Sequence, residues 1–205
     1  MVQVNKSIIC IFAVFLNYIT AMLFYQVLRI PLFFDTIWTV VIVFLFGLVP
    51  GLFVQVGYNI LNYFLWVSKN GWENLSFLYS VCGILIVVST WFFARKKDEF
   101  KISALVSVLY LMLIVLVSSF FTILAGGLID YFQYLHTGVL DQMNPIKKFT
   151  ESFLRQRFSL LSSCILAQIP VSFLDRLIAS FAGYGIFLAI KRFFASKIFF
   201  GDLNV

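Results

Sequence analysis

The chain has 205 residues, of which 62% are hydrophobic and only 12% charged, and its formal net charge is +6. Soluble domains carry about 45–50% apolar and about 25% charged residues, so this balance argues against a water-soluble enzyme and against a basic nucleic-acid-binding domain. Lipid is the solvent that suits it: the 26 phenylalanines fit against acyl chains, and the basic residues fall between apolar runs, where they orient helices across a bilayer.

In chain order, the first apolar segment is Ser7–Leu28, after Lys6. It is longer than the apolar core of a secretory signal, about 7–15 residues, and has no Ala-x-Ala site, so it is expected to be a retained membrane helix. Ala13, Asn17 and Ala21 recur every fourth residue along it. Small residues at that spacing let another helix approach closely, either within the bundle or from a partner subunit. Cys10, Cys82 and Cys164 each lie inside an apolar run without metal-ligand spacing, and read as buried free thiols.

Segments two and three, Thr36–Val49 and Gly51–Val67, are separated only by Val49-Pro50-Gly51. Proline disfavours helix in the residue before it and glycine tolerates a turn, so 47–51 is predicted to be a tight hairpin. The whole run from Thr36 to Trp66 is too long for one crossing at about 1.5 Å per residue. On segment three, Gln55, Asn59, Asn62 and Trp66 share one helical face, as interhelical hydrogen-bonding groups or as one wall of a polar pocket.

Segment four is Leu75–Ala94, followed by the basic cluster Arg95, Lys96, Lys97 and Lys101. Segment five is Ile102–Gly126 and ends with Ser118, Thr122 and Gly126 on one face. The stretch 127–171 starts polar, with Asp130, Gln133, His136, Asp141, Asn144 and Pro145, and is amphipathic from Lys147 to Ile169. It is expected to be an outer segment with a helix that lies on or dips into the membrane; a seventh span is the rival. Segment six is Ser172–Ile190, followed by Lys191, Arg192 and Lys197.

These segments predict an all-α fold: one transmembrane domain over 1–205, a polytopic membrane helical bundle of six transmembrane helices plus an amphipathic or re-entrant helix before the last. If Lys6, the 95–101 cluster and the 191–197 cluster all face the cytoplasm, the protein sits in the cell membrane with both termini cytoplasmic.

Polar groups in lipid are costly unless they face a cavity, the bundle interior or a partner. In the six-helix topology Asp35, Asn59, Asn62, Tyr79, Thr122, Asp175 and Arg176 all fall between mid-membrane and the outer face. Their convergence predicts a substrate pocket open to the outside, where Tyr79, Trp38 and Trp66 could stack on a flat ring. The Asp175–Arg176 pair would hold each other or a zwitterion. The competing explanation is that helix ends are more polar than helix middles. No HExxH, GxSxG, P-loop or CxxC occurs, and His136 is the lone histidine, so no enzyme activity, cofactor or metal site is expected.

The runs Phe33-Phe-Asp-Thr-Ile-Trp-Thr39, Leu45-Phe-Gly-Leu-Val-Pro-Gly51 and Gly57-Tyr-Asn-Ile60 resemble the S components of energy-coupling factor (ECF) transporters. So do Ile169-Pro170, Leu174-Asp175-Arg176-Leu-Ile178 and Gly183-Tyr184, which resemble the last helix of that family. The resemblance implies a subunit that captures a vitamin or related micronutrient at the outer face. It also implies docking to a transmembrane coupling subunit with two ATPase subunits, through the face Ala13, Asn17, Ala21, where Asn17 replaces the family's small residue. The alternative reading is a membrane sensory domain without its own output domain; the short stretch to Val205 after the last segment counts against it, since signalling would then need a separate partner.

Overall fold

The structure, a computed structural model, describes residues 5–28, 30, 32–70, 75–96, 98–138 and 146–195, without the side chains of 26, 66–70, 75–76 and 194–195. Its elements are α1 (Lys6–Met22, continued by a π-turn Leu23–Val27), α2 (Ile37–Phe46), α3 (Leu48–Asn70), a 3-10 turn (Leu75–Tyr79), α4 (Ser80–Ala94), α5 (Glu99–Ile102), α6 (Ala104–Thr137), α7 (Lys147–Arg155) and α8 (Leu160–Ala195). No strand occurs among the described residues. Parts of α1, α3, α4, α6 and α8 are long and apolar enough to cross a membrane. The remaining expected span, segment two, is α2, with 10 residues, so it is only about 15 Å long against a hydrocarbon core of about 30 Å.

Shortness suits where α2 sits. Apolar on nearly every side, it buries Ile37, Thr39 and Val40 through Phe44, as a helix surrounded by others must. Helices α1, α3, α4 and α8 all pack on it. At its end the chain reverses at Gly47 alone, whose φ of +89° a side chain would resist. The predicted hairpin was wider. Val49, Pro50 and Gly51 instead belong to the first turn of α3, where a proline's missing N–H breaks no intrahelical bond.

Two other boundaries move. Helix α6 does not stop at Gly126 but runs 34 residues, roughly 50 Å, to a left-handed Gly138 cap. The polar residues Asp130 and Gln133, expected in a loop, are buried on its inner face. The amphipathic stretch Lys147–Ile169 is not one helix: its first part is α7, and from Leu160 it is continuous with the last helix, through Pro170. Proline removes one helical hydrogen bond, which neighbouring helices in a bundle tolerate. Helix α7 packs on α8, with Ile146 and Thr150 buried.

The exterior is apolar: Phe12, Phe15 and Ile19 on α1 and Leu116, Phe120 and Phe132 on α6 are exposed. A membrane supplies the partner such a surface lacks in water. One group of basic residues gathers at one end; Lys147, Lys148, Arg155 and Arg157, on and just after α7, lie by the start of α8 at the other. Lys6 lies 5.9 Å from the Phe46 ring, and Arg95 and Lys101 border the same cleft as Phe46. Lys191 lies 6.0 Å from the Phe187 ring, which stacks on Phe44 at 5.4 Å. The start of α1 and the ends of α2, α4 and α8 therefore share one end of the bundle. Lys97 and Lys197 lie outside the described residues.

A buried hydrogen-bond chain ties the first three helices. Asn17 Nδ2 donates to Thr39 Oγ1 at 2.8 Å, and Thr39 Oγ1 donates to Gln55 Oε1 at 2.8 Å. Asn17 Oδ1 accepts from the Trp38 backbone N–H at 3.0 Å. This corrects the docking face expected at Ala13, Asn17 and Ala21. Ala13 and Asn17 are buried and Ala21 half-buried against α2 and α3, so the chain's own helices occupy that stripe. Removing the middle hydroxyl with Thr39→Val strands Asn17 and Gln55 in an apolar interior. Its expected cost is about 1–3 kcal/mol, read as a lower melting temperature in detergent. An unchanged melting temperature would show that the two amides find other partners.

Candidate functional site

The segment entering α2 makes an unusual turn. Phe34 has φ of +47°, a left-handed conformation costing a bulky residue about 1–2 kcal/mol. Two contacts hold it there: its ring packs on Phe24 at 4.3 Å, and its N–H donates to Asp175 Oδ1 at 2.7 Å. The turn delivers Asp35 and Thr36 to α8. Arg176 donates to Thr36 Oγ1 at 2.7 Å and to Asp175, and its guanidinium lies 3.7 Å from Asp35 Oδ1. Two carboxylates thus meet one guanidinium in an apolar bundle. Asp175 and Arg176 are buried, and Arg176 Nε and Asp35 Oδ1 have no hydrogen-bond partner among the described residues.

A second polar cluster faces it. The Tyr79 hydroxyl donates to Asp130 and lies 3.5 Å from Gln133 Oε1. Gln168 Nε2 donates to Asp130 Oδ2 at 2.7 Å, and Ser172 Oγ donates to Gln168 Oε1 at 2.9 Å. Gly126 makes room for this carboxamide, since a Cβ there would lie 2.7 Å from Gln168 Nε2. Gly83 makes similar room for Gln55, 2.5 Å from where its Cβ would be.

Between the clusters lies a cavity of about 70 Å³, lined by Phe33, Asp35, Tyr79, Cys82, Gly83, Ile86, Thr122, Gly126, Gln168, Ser172 and Arg176. At about 30 Å³ per water, that is room for roughly two waters or the polar edge of a larger molecule. The walls offer a cation, carboxylates, hydroxyls and a carboxamide, so they can meet donors and acceptors on one ligand. No group of three or more His, Cys, Asp or Glu that could hold a metal comes together among the described residues.

Of the residues expected in a pocket, Asp35, Tyr79, Thr122 and Arg176 line this cavity. Asp175 stands behind it and holds Arg176 and the Phe34 turn. Three others do not reach it. Trp38 Nε1 donates to Thr20 Oγ1 at 3.1 Å, tying α2 to α1. Asn59 Nδ2 bonds the Gln55 carbonyl of its own helix at 2.8 Å. Asn62 is half-buried on α3, away from the cavity lining. The polar face of α3 therefore serves interhelical bonding through Gln55. The side chains of Gln26 and Trp66, and Asp141, lie outside the described residues.

Residue patterns missed Asp130, Gln168 and Ser172. Their signal was present: 168, 172, 175 and 176 share one face if the helix is continued through Pro170. Likewise 122, 126, 130 and 133 share a face once α6 is extended. The site also lies deeper than the first turn of the last helix, because α8 starts at Leu160.

Fold and cavity together define an all-helical membrane protein with a polar cleft among its helices. Comparison with protein-family models, with curated proteins and with solved structures returned no match.

Proposed function

We propose that this chain is the membrane-embedded substrate-binding subunit of an ECF-type importer. It would take a vitamin-like small molecule at the end of the bundle opposite Lys6, Arg95 and Lys191 and hand it to a transmembrane coupling subunit driven by two ATPase subunits. The supporting observation is the cavity itself. Gln168, Ser172 and Arg176 on α8, Tyr79 at the end of the 3-10 turn and Asp35 in the segment before α2 come to one cleft, with buried polar atoms left for a ligand. Groups so costly to bury are retained where they bind something. The basic end faces the cytoplasm in this reading, by the bias of Lys and Arg toward that side. ATP hydrolysis is assigned to partner subunits because the sequence has no P-loop. The cavity volume suits the polar edge of such a substrate rather than the whole of it.

The test is extraction in mild detergent without added ligand, followed by mass spectrometry of small molecules released on denaturation. The wild type is expected to carry one, and a thermal-shift screen of vitamins to identify it. Tyr79→Phe with Thr122→Val, at the cavity wall, is expected to weaken binding about tenfold or more, the loss of one to two hydrogen bonds to ligand. Undiminished binding in that folded double variant, or no vitamin bound by monodisperse wild-type protein, overturns the proposal.

A further inference from the structure

A second cleft opens at the basic end, between the turn at Gly47 and the end of α4. Its volume is about 300 Å³. Clefts that hold small ligands start near that size, roughly 300–1,000 Å³. Val43, Phe46, Trp91 and Ala94 form its apolar floor, and its charged lining is Arg95, Lys101 and one acid, Asp98.

The rim is arranged rather than merely basic. The Arg95 guanidinium sits 4.7 Å from the Phe92 ring and 5.2 Å from the Trp91 ring, which hold it over the mouth. It makes no ion pair among the described residues. Lys101 donates to Asp98 at 2.9 Å, and that bond holds the exposed Asp98 carboxyl below the usual carboxylate range. An ammonium has three donors, so two remain. Lys6, over the ring of the lining residue Phe46, brings a further positive charge near the cleft. Around this end Lys6, Arg95, Lys96, Lys101, Lys191 and Arg192 outnumber Asp98 and Glu99.

We infer that this cleft binds the headgroup of an anionic phospholipid, phosphate on Arg95 and Lys101 and acyl chains against the apolar floor. Charge complementarity selects the anion, because basic pockets between helix ends hold acidic headgroups. The floor selects a lipid over free phosphate: a bare anion gains nothing from Val43, Phe46 and Ala94, whereas chains leaving the cleft meet the exposed Phe92. Trp91 marks the depth, since indole rings favour the headgroup layer. This inference rests on the membrane reading and is independent of the importer proposal.

The test is native mass spectrometry of the full chain from a neutral detergent, with phosphatidylglycerol and phosphatidylcholine of matched chains added in competition. Wild-type protein is expected to retain phosphatidylglycerol preferentially. Arg95→Gln with Lys101→Gln is expected to weaken that retention about tenfold or more. Lys148→Gln with Arg155→Gln, on α7, is expected to leave it unchanged. Equal retention of the two lipids by the wild type overturns the inference without any variant. So does an equal loss in the α7 variant, or displacement of the lipid by millimolar inorganic phosphate, which would make the site one for the free anion.

Discussion

Asp175→Ala is expected to destabilise the protein by about 3–5 kcal/mol, the usual cost of removing one partner from a buried ion pair. Two groups lose their partner at once. Arg176 keeps its charge in the bundle with only Thr36 and the more distant Asp35 to answer it. The Phe34 N–H loses its acceptor at 2.7 Å, and with it one of two contacts that hold a left-handed phenylalanine. The turn that carries Asp35 to the cavity is then free to relax, so ligand binding falls with stability. Asp175→Asn separates the effects. Its carbonyl oxygen still accepts from Phe34, so the turn keeps its acceptor while the charge and the acceptor for Arg176 are lost, and a smaller destabilisation is expected. Thermal unfolding in detergent, read by monodispersity after heating, ranks the two variants. Equal melting of Asp175→Ala and wild type would show that Arg176 does not depend on Asp175.

The second large effect is steric. A Cβ on Gly127 would lie 2.8 Å from the Ile165 Cα and 3.2 Å from its backbone nitrogen. Backbone cannot rotate away as a side-chain end can, so α6 and α8 must separate. Gly127→Ala is expected to cost about 1–3 kcal/mol, the range of overpacking, and Gly127→Leu to prevent the pairing and abolish folded protein. The same movement pulls Gln168 from Asp130, so residual Gly127→Ala protein should bind ligand poorly. Gly185 supplies the contrast, because nothing lies within 4 Å of its missing Cβ. Gly185→Ala, on α8, is expected to raise stability by about 0.5–1 kcal/mol through helix propensity alone. Opposite signs in the melting temperatures of these two variants locate the close helix contact; matching signs refute it.

Composition and run length alone announced an all-helical chain solvated by lipid, because apolar surface at this density has no other stable partner. The basic clusters at the helix ends were legible for the same reason: charge stays near water and marks the end of a span. Asp35, Tyr79, Thr122 and Arg176 could be picked out as pocket residues, since each is a polar group at membrane depth and such groups need a destination.

What the residues alone left open was which destination each group reaches. Asn17 and Gln55 are as polar as Gln168, yet they are spent on binding α1 to α3 through Thr39. Asn59 bonds its own helix. Asp130 reads as a loop residue until Tyr79 and Gln168 close around it and let α6 continue. Pro170 reads as a helix boundary until α6 packs beside it and α8 runs through. Local sequence sets the solvent and the helical periodicity because each residue carries its own transfer energy and backbone preference. Helix ends, and the division of polar groups between packing and cavity, depend on partners distant in the chain, and only tertiary packing brings those together.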